Sequence, residues 1–397
     1  MKEFKIRLKT LTPIHIGTGE VYEPLSFFVR KEENALYQVD FEKLCNLISR
    51  SEKALRQFLS LAQGGNLISL IKLYKFFDKT LCNGLFERGV RDFIKKKIKV
   101  SPDFVSHYLS LVEISNKELE KISEKTLVNQ YFKKFEIHRT AYLPNTSGEM
   151  PYIPGSSLKG AIRTAVLNLR KKELKNKTVE NYKRVNKKGK INYDGKALER
   201  DILKFEKFFE DPFKAVKISD LIPVDSAKVC IVYGVNRKKD GTKARGPFQI
   251  FEVIEEGSEF EGSITIDENA FKVKKPLRID EILEALKSFY VGEFEKERKI
   301  WEKLGIKVEL PKSEGVLIRI GKHSGAESVT IEGFRKIWVK GRGGKGRFLP
   351  YSTTIWLASE DKDGNNLIAP FGWAVIKVLS EAEARVFSNL NKTSKKK

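Results

Sequence analysis

The sequence predicts an α+β chain of two domains, with a large helical insertion in the first. Three observations predict it. Strand-like and helix-like stretches follow in the order strand, helix, strand in both halves of the 397 residues. From about residue 40 to residue 130 the pattern turns helical for longer than one element needs. A hydrophobic content of 41% over this length supports two cores and excludes a disordered chain. Together these fit two α+β units better than a doubly wound parallel sheet.

The first unit is expected over residues 1–211. Residues 3–11, "EFKIRLKTL", place Phe4, Ile6 and Leu8 on one face of a half-buried strand, which Pro13 and the "GTG" at 17–19 end. "LSFFVR" (25–30) and "ALYQV" (35–39) read as a hairpin. "DFEKLCNLISR", "ALRQFLSLA", "LISLIKLYKFF" and "FVSHYLSLVEI" then form the helical block, with Gly-rich breaks at "QGGN" and "CNG". "KKFEIHRTAYL" (133–143) returns to strand character, and "YIPGSSLKGAIRTAV" (152–166) opens a helix that runs to about 175. Residues 171–200 hold 11 Lys or Arg against 4 acidic residues and few apolar ones. That composition predicts a mobile or partly ordered segment, either a solvated basic surface or an arm for nucleic acid.

The second unit is expected over 212–397. "VKISDLI", "AKVCIVYGV", "FQIFEVI" and "EFEGSITI" are strands with turns between them. "IDEILEALKSFYVGEFEKERKIWEKLG" (279–305) is an amphipathic helix. "GVLIRIG", "STTIWLA" and "GWAVIKVL" are late strands, and the tail "NKTSKKK" reads as a frayed basic end.

Charge narrows the function. The formal net charge of +23 implies a polyanionic partner: nucleic acid, an anionic membrane or an acidic protein. No run of 18 apolar residues and no basic amphipathic helix with aromatic anchors argues for a membrane. The opening residues lack the apolar block of a signal peptide, so the expectation is cytoplasmic. Cys45, Cys82 and Cys230 fit neither a disulfide framework nor a zinc motif, and His15, His107, His138 and His323 are scattered. No metal and no cofactor are expected.

Three glycine-containing stretches carry candidate chemistry. In the first, Ser156 or Ser157 is the expected N-cap. Leu158, Ile162, Ala165 and Leu169 then fall on a core face, and Lys159, Arg163 and Arg170 on a second stripe. Free N–H groups, two hydroxyls and two cations would make a phosphate cradle; the bland alternative is a Ser-capped helix with surface cations. A P-loop is excluded because Lys159 precedes Gly160. The second, "GRGGKG" (341–346), matches G-x-G-x-x-G, but "RFLPYSTTIWLA" follows it where a helix must open. With Arg342, Lys345 and Arg347 it reads as a basic loop for a phosphate backbone. The third, "RIGKHSGAESVTIEG" (319–333), sets Lys322, His323 and Ser324 in a tight turn: a plain hairpin, or another backbone-contacting loop.

"LKTLTPIHIGTG", "YIPGSSLKGAIRTAV", "ISD" at 218–220, "RIGKHSGAESVTIEG" and "APFGWAVIKV" occur in this order in RAMP proteins of CRISPR–Cas systems, which the chain resembles over nearly its whole length. The helical insertion and "GKHSG" are most similar to the Csm subunit that caps the crRNA 3′ end in type III-A complexes. The resemblance implies two ferredoxin-like (RRM-like) domains. It also implies a non-catalytic crRNA-binding subunit needed for crRNA 3′ maturation in antiviral defence. The implied partners are crRNA, the repeated backbone subunit, the small subunit and host nucleases. By it, Gly155, Ser156, Ser157, Lys159 and Arg163 contact RNA, with His15, Gly17 and Gly19 on the loop after the first strand. No motif singles out a loop acid such as Glu20, Glu23 or Asp40 for RNA cleavage. The alternative is a metal-independent RAMP endoribonuclease, with His15, His138 or His323 as base beside Lys159.

Overall fold

The computed structural model describes all residues except 24, 120, 128–134, 145–149, 175, 187–188, 190, 311–314, 342–345 and 384–397. The basic tail, Arg342 and Lys345 therefore lie outside the described residues.

Strand β1 (Lys2–Thr10) leads to the hairpin β2 (Phe27–Arg30) and β3 (Ala35–Val39). Helices α1 (Phe41–Ile48), α2 (Glu52–Ala62) and α3 (Leu67–Lys75) follow, then a π-helical stretch Phe76–Asn83 and α4 (Gly84–Glu87). Asp40, Ser51 and Asn66 cap the first three, their side chains accepting from the N–H groups of Lys43, Ala54 and Ser69. β4 (Ile94–Lys99) interrupts the helices and pairs antiparallel with β3. This strand lies inside the block expected to be helical. "IKKKIK" alternates, burying Ile98 and leaving Lys95 and Lys97 exposed, but four lysines in six residues mask the period. α5 (Pro102–Val112) and the short α6 (Asn116–Leu119) and α7 (Glu124–Leu127) complete the block, and β5 (Ile137–His138) follows.

α8 (Gly155–Arg170) is followed by the hairpin β6 (Lys183–Val185) and β7 (Ile191–Tyr193) and by α9 (Gly195–Leu203). The basic segment 171–200 is thus structured at its described residues. Tyr182 and Leu198 anchor it in the core, although its charge pattern suggested otherwise. The later elements are β8 (Val216–Ile218), β9 (Ile222–Pro223), β10 (Val229–Lys238), β11 (Gln249–Ile254), β12 (Glu259–Ile266), α10 (Ile279–Trp301) and β13 (Val316–Arg319). The hairpin β14 (Ile337–Lys340) and β15 (Gly346–Leu349) then precedes β16 (Thr354–Ser359), β17 (Leu367–Pro370) and β18 (Trp373–Val378).

One sheet has the order β13-β18-β1-β12-β8, all antiparallel, with β9 also on β12. A second has the order β17-β16-β10-β4-β3-β2, and β11 and β5 extend it from β10. Both sheets combine strands from before and after residue 211, so a boundary there cuts through each of them. Hydrogen bonding between distant strands decides the organisation, and composition along the chain does not show it.

The core follows from side-chain period. Ile6 and Leu8 of β1 are fully buried, while Arg7 on the opposite face pairs with Glu261. α10 buries Ile282, Leu286, Phe289, Phe294 and Trp301 at helical spacing. It packs beside α8, where the Tyr290 hydroxyl donates to the Ala161 carbonyl at 3.2 Å. A separate cluster of Phe28, Tyr37, Leu44, Phe76, Phe77 and Phe93 joins the helical block to its hairpin.

Candidate nucleic-acid interface

Three segments far apart in sequence meet at the start of α8. The loop after β1 crosses between the sheets: Ile14 exchanges backbone hydrogen bonds with Ile254, and Gly372 donates to the Pro13 carbonyl at 3.0 Å. The turn after β13 lies on this loop, with the Lys322 N–H 2.9 Å from the His15 carbonyl oxygen. Gly321, at φ 85°, allows the approach, because a Cβ there would stand 2.6 Å from that oxygen. The first two turns of α8 face both loops. Ile16, Gly17, Ser156, Ser157, Gly160, Ala161, Thr164, Arg319, Ile320, Gly321, Lys322, Ser324 and Val329 line the resulting groove of about 550 Å³.

The groove wall on α8 is made of small residues. Ser156, Gly160 and Thr164 recur every four residues, as do Ser157 and Ala161. That spacing was present in the sequence, and it identifies a face the charge pattern did not. The helix opens differently from the expectation. Pro154 is the N-cap, and the Asp220 carboxylate accepts the Gly155 N–H at 2.8 Å. The serines are thereby released from capping, and their side chains belong to the groove. Gly155 is required by contact, since a Cβ would lie 2.4 Å from the Ile218 carbonyl oxygen.

The two cations of the expected cradle point elsewhere. The Lys159 ammonium donates to the carbonyls of Phe213 and Val216 at 2.8 and 2.6 Å, and burial lowers its pKa. Arg163 pairs with Glu199 at 2.7 Å and Asp211 at 2.9 Å, and its guanidinium lies 4.9 Å from the Phe213 ring centre. Arg170 is buried on Glu281. Lys159 and Arg163 fasten α8 to the stretch from α9 to the start of β8, and Arg170 fastens it to α10. Leu158, Ile162 and Ala165 are fully buried as expected, and Leu169 is partly buried.

Of the remaining candidates, Lys322 is exposed on the groove rim, its ammonium 4.9 Å from the Phe251 ring centre, and partial desolvation of that ammonium lowers its pKa. Gly17 is exposed at the groove, and Gly19, at φ 88°, lies further along the same loop. Arg347 is exposed on β15, and the chain that begins at Gly346 is this strand, paired antiparallel with β14, where a dinucleotide fingerprint would need a helix.

The histidines scattered in sequence come together in space. His15, His138 and His323 surround Phe251 with ring centres at 4.7, 5.3 and 5.0 Å. His15 is 1% exposed and its Nδ1 donates to the Glu252 carbonyl at 2.8 Å. His323, at φ 64°, stacks on Trp356 at 4.2 Å and holds Gln249 at 3.0 Å. Burial, reinforced by Lys322, depresses the pKa of His15 to about 4 and of His323 to about 3. His138 is lowered for the same reasons. His15 and His323 are therefore held neutral behind the groove loops, His15 buried and His323 half-buried. Among the described residues no cluster of His, Cys, Asp or Glu could hold a metal, and no helix is long and apolar enough to cross a membrane.

A model of the RAMP superfamily matches residues 7–310. The CRISPR system protein Csm5 of Streptococcus thermophilus is 27% identical over 303 residues, 74% of this chain and 73% of that protein. Csm5 of Methanocaldococcus jannaschii is 29% identical over 224 residues, 56% of this chain and 43% of that protein. Among solved structures, a chain of a type III-A Csm–crRNA–target RNA ternary complex superimposes with a TM-score of 0.58 at 23% identity, covering 95% of this chain and all of that one. The T. onnurineus Csm5 crystal structure gives 0.51 at 20% identity, covering 93% and 99%. At such identities these two structures show the fold.

Proposed function

The chain belongs to the RAMP superfamily, and from that premise we propose that it is a crRNA-binding subunit of a type III-A CRISPR effector complex. In this reading it caps the filament of repeated backbone subunits at the crRNA 3′ end. It serves crRNA 3′ maturation as a non-catalytic scaffold in the cytoplasm, beside the backbone and small subunits and host nucleases. The similarity to Csm5 proteins supports the assembly. The sheet order β13-β18-β1-β12-β8 with α8 and α10 packed together supports a ferredoxin-like unit, and the second sheet is the candidate for the other.

The observation that carries the reading is the groove at the start of α8. Its walls combine glycine backbone, four hydroxyls and a rim lysine with the apolar side chains of Ile16, Ile320 and Val329, contributed by three segments that only the fold brings together. Small residues let a polyanionic backbone approach closely, and N–H and hydroxyl groups suit phosphate and sugar without reading sequence. The net charge of +23 supplies the long-range attraction. Binding of this type releases counterions. Neutralising about six phosphates costs roughly three orders of magnitude in affinity between about 50 and 200 mM salt. Titration of the purified chain with labelled crRNA across that range tests the reading, and a flat salt dependence rejects it. Incubating the same RNA with the chain in chelator tests the endoribonuclease alternative, which requires cleavage without metal.

A further inference from the structure

We propose that Trp338 on the hairpin β14–β15 is a base-stacking platform for single-stranded RNA, separate from the α8 groove. The inference rests on the RNA-binding reading above and adds a contact of different chemistry to it.

Trp338 and Phe348 are cross-strand partners, their ring centres 5.0 Å apart at 67°. Gly346 lies diagonally across the ribbon from Trp338. A Cβ on Gly346 would fall 2.4 Å from the indole Cζ2, so the indole rests on bare glycine backbone. Packing an aromatic ring over a cross-strand glycine fixes the ring on a sheet surface. Trp338 is nonetheless 53% exposed. An indole held against backbone on one side, with that much surface left in water, is oriented for something planar.

The hairpin is braced on the face that carries Trp338. Phe348 meets Tyr193 of β7 at 5.7 Å, edge to face. Lys336 stands 5.1 Å from the Tyr193 ring centre and 3.0 Å from Glu180, and Tyr182 packs on Phe334 at 6.0 Å. The platform is thus carried by two hairpins that support each other, which lowers the ordering cost on binding.

Charge selects the occupant. Lys183, Arg184, Lys336 and Arg347 stand on these two hairpins and their approaches, against Glu180 and Asp194. Arg347, on the opposite face of the ribbon, makes no ion pair among the described residues. A fixed aromatic face in a cationic surround suits a nucleobase whose phosphates run past the cations. A duplex presents no free base face, so the platform requires a single strand.

The test uses the full chain with labelled oligo(U), and with the same strand annealed to its complement. Trp301 and Trp373 are fully buried, so fluorescence quenching reports the outer tryptophans. Oligo(U) should quench the wild type. Trp338→Ala should lose most of that quench and bind roughly ten-fold more weakly at fixed salt. Trp338→Phe keeps a ring on the glycine and should bind within a few-fold of wild type. Duplex binding should be the same for all three. If the wild type binds oligo(U) and Trp338→Ala binds it equally, the platform is overturned while the RNA-binding reading stands. If the wild type binds neither RNA, that reading fails and the platform with it.

Discussion

The Asp220 carboxylate holds the first N–H of α8, accepting from Gly155 at 2.8 Å across 65 residues of sequence. It is the negative charge that a helix N-terminus favours, supplied by the chain itself. The same contact brings Ile218 so close that residue 155 has no room for a side chain. Helix start and strand β8 are therefore one joint, and the groove depends on it.

Asp220→Ala should cost about 1 kcal/mol, the usual value of a lost N-cap. Gly155→Ala should cost more, roughly 1–3 kcal/mol, because its Cβ meets backbone that must shift. Urea melts of both variants check the order. Equal stability of Gly155→Ala and wild type would mean that the joint is loose.

Lys159 and Arg163 should behave as structural residues. Lys159→Ala removes a charged donor from each of two partly buried carbonyls, a loss of about 1–3 kcal/mol. Arg163→Ala abandons Asp211, Glu199 and the Phe213 ring. Lys322→Ala, on the exposed rim, should change stability by only about 0.5 kcal/mol yet reduce RNA affinity and shrink the salt slope by about one unit. The comparison needs a melt and a salt-dependent titration for each variant. A Lys159→Ala protein that melts like wild type but loses RNA would restore Lys159 to the binding site.

Stability should depend on pH through the buried histidines. His15 and His323 have folded pKa values of about 4 and about 3, against about 6.5 when unfolded. Between those values the unfolded chain binds more protons, so stability rises with pH there. The contribution is complete above about pH 6.5 and is lost as pH falls towards 4, on the order of 3 kcal/mol for His15. Asp78, pushed up to about 6 by burial, acts in the opposite sense over the same range. Comparing wild type with His15→Gln at pH 7 and pH 4.5 cancels that background. The variant should lose less stability on acidification than wild type, and an equal loss would contradict a neutral, buried His15.

How much of this was legible in the sequence depends on what each feature needs. Period alone located β1 and α10, whose apolar residues repeat at intervals of two and of three to four. The same argument put Leu158 and Ile162 inward and Lys159 and Arg163 on a different stripe. It could not say what lies opposite that stripe, because Phe213 and Val216 arrive from about 50 residues away. Segment 171–200 misled for a related reason. Its lysines dominate the composition, while a few residues such as Tyr182 and Leu198 decide its order. The histidine cluster was invisible, since residues 15, 138 and 323 meet only where β11 presents Phe251. The division at 211 failed as a guide because β1 pairs with β12 and β18, partners roughly 250 and 370 residues away.

Gly160 separates stability from function most cleanly. It lies inside α8 on the groove face, and a Cβ there would meet nothing within 4 Å. Glycine in a helix interior costs about 0.5–1 kcal/mol relative to alanine, through the freedom it loses on folding. Nothing in the packing requires that cost here, in contrast to Gly155. A glycine kept where alanine would fit is explained if the space above it is used. Gly160→Ala should therefore raise the melting midpoint while its methyl group, standing in the groove, weakens crRNA binding. A thermal melt and an RNA titration on this one variant decide the matter. Higher stability with unchanged affinity would show that the RNA path does not cross the second turn of α8, and lower stability would show a contact that the open space above Gly160 does not reveal.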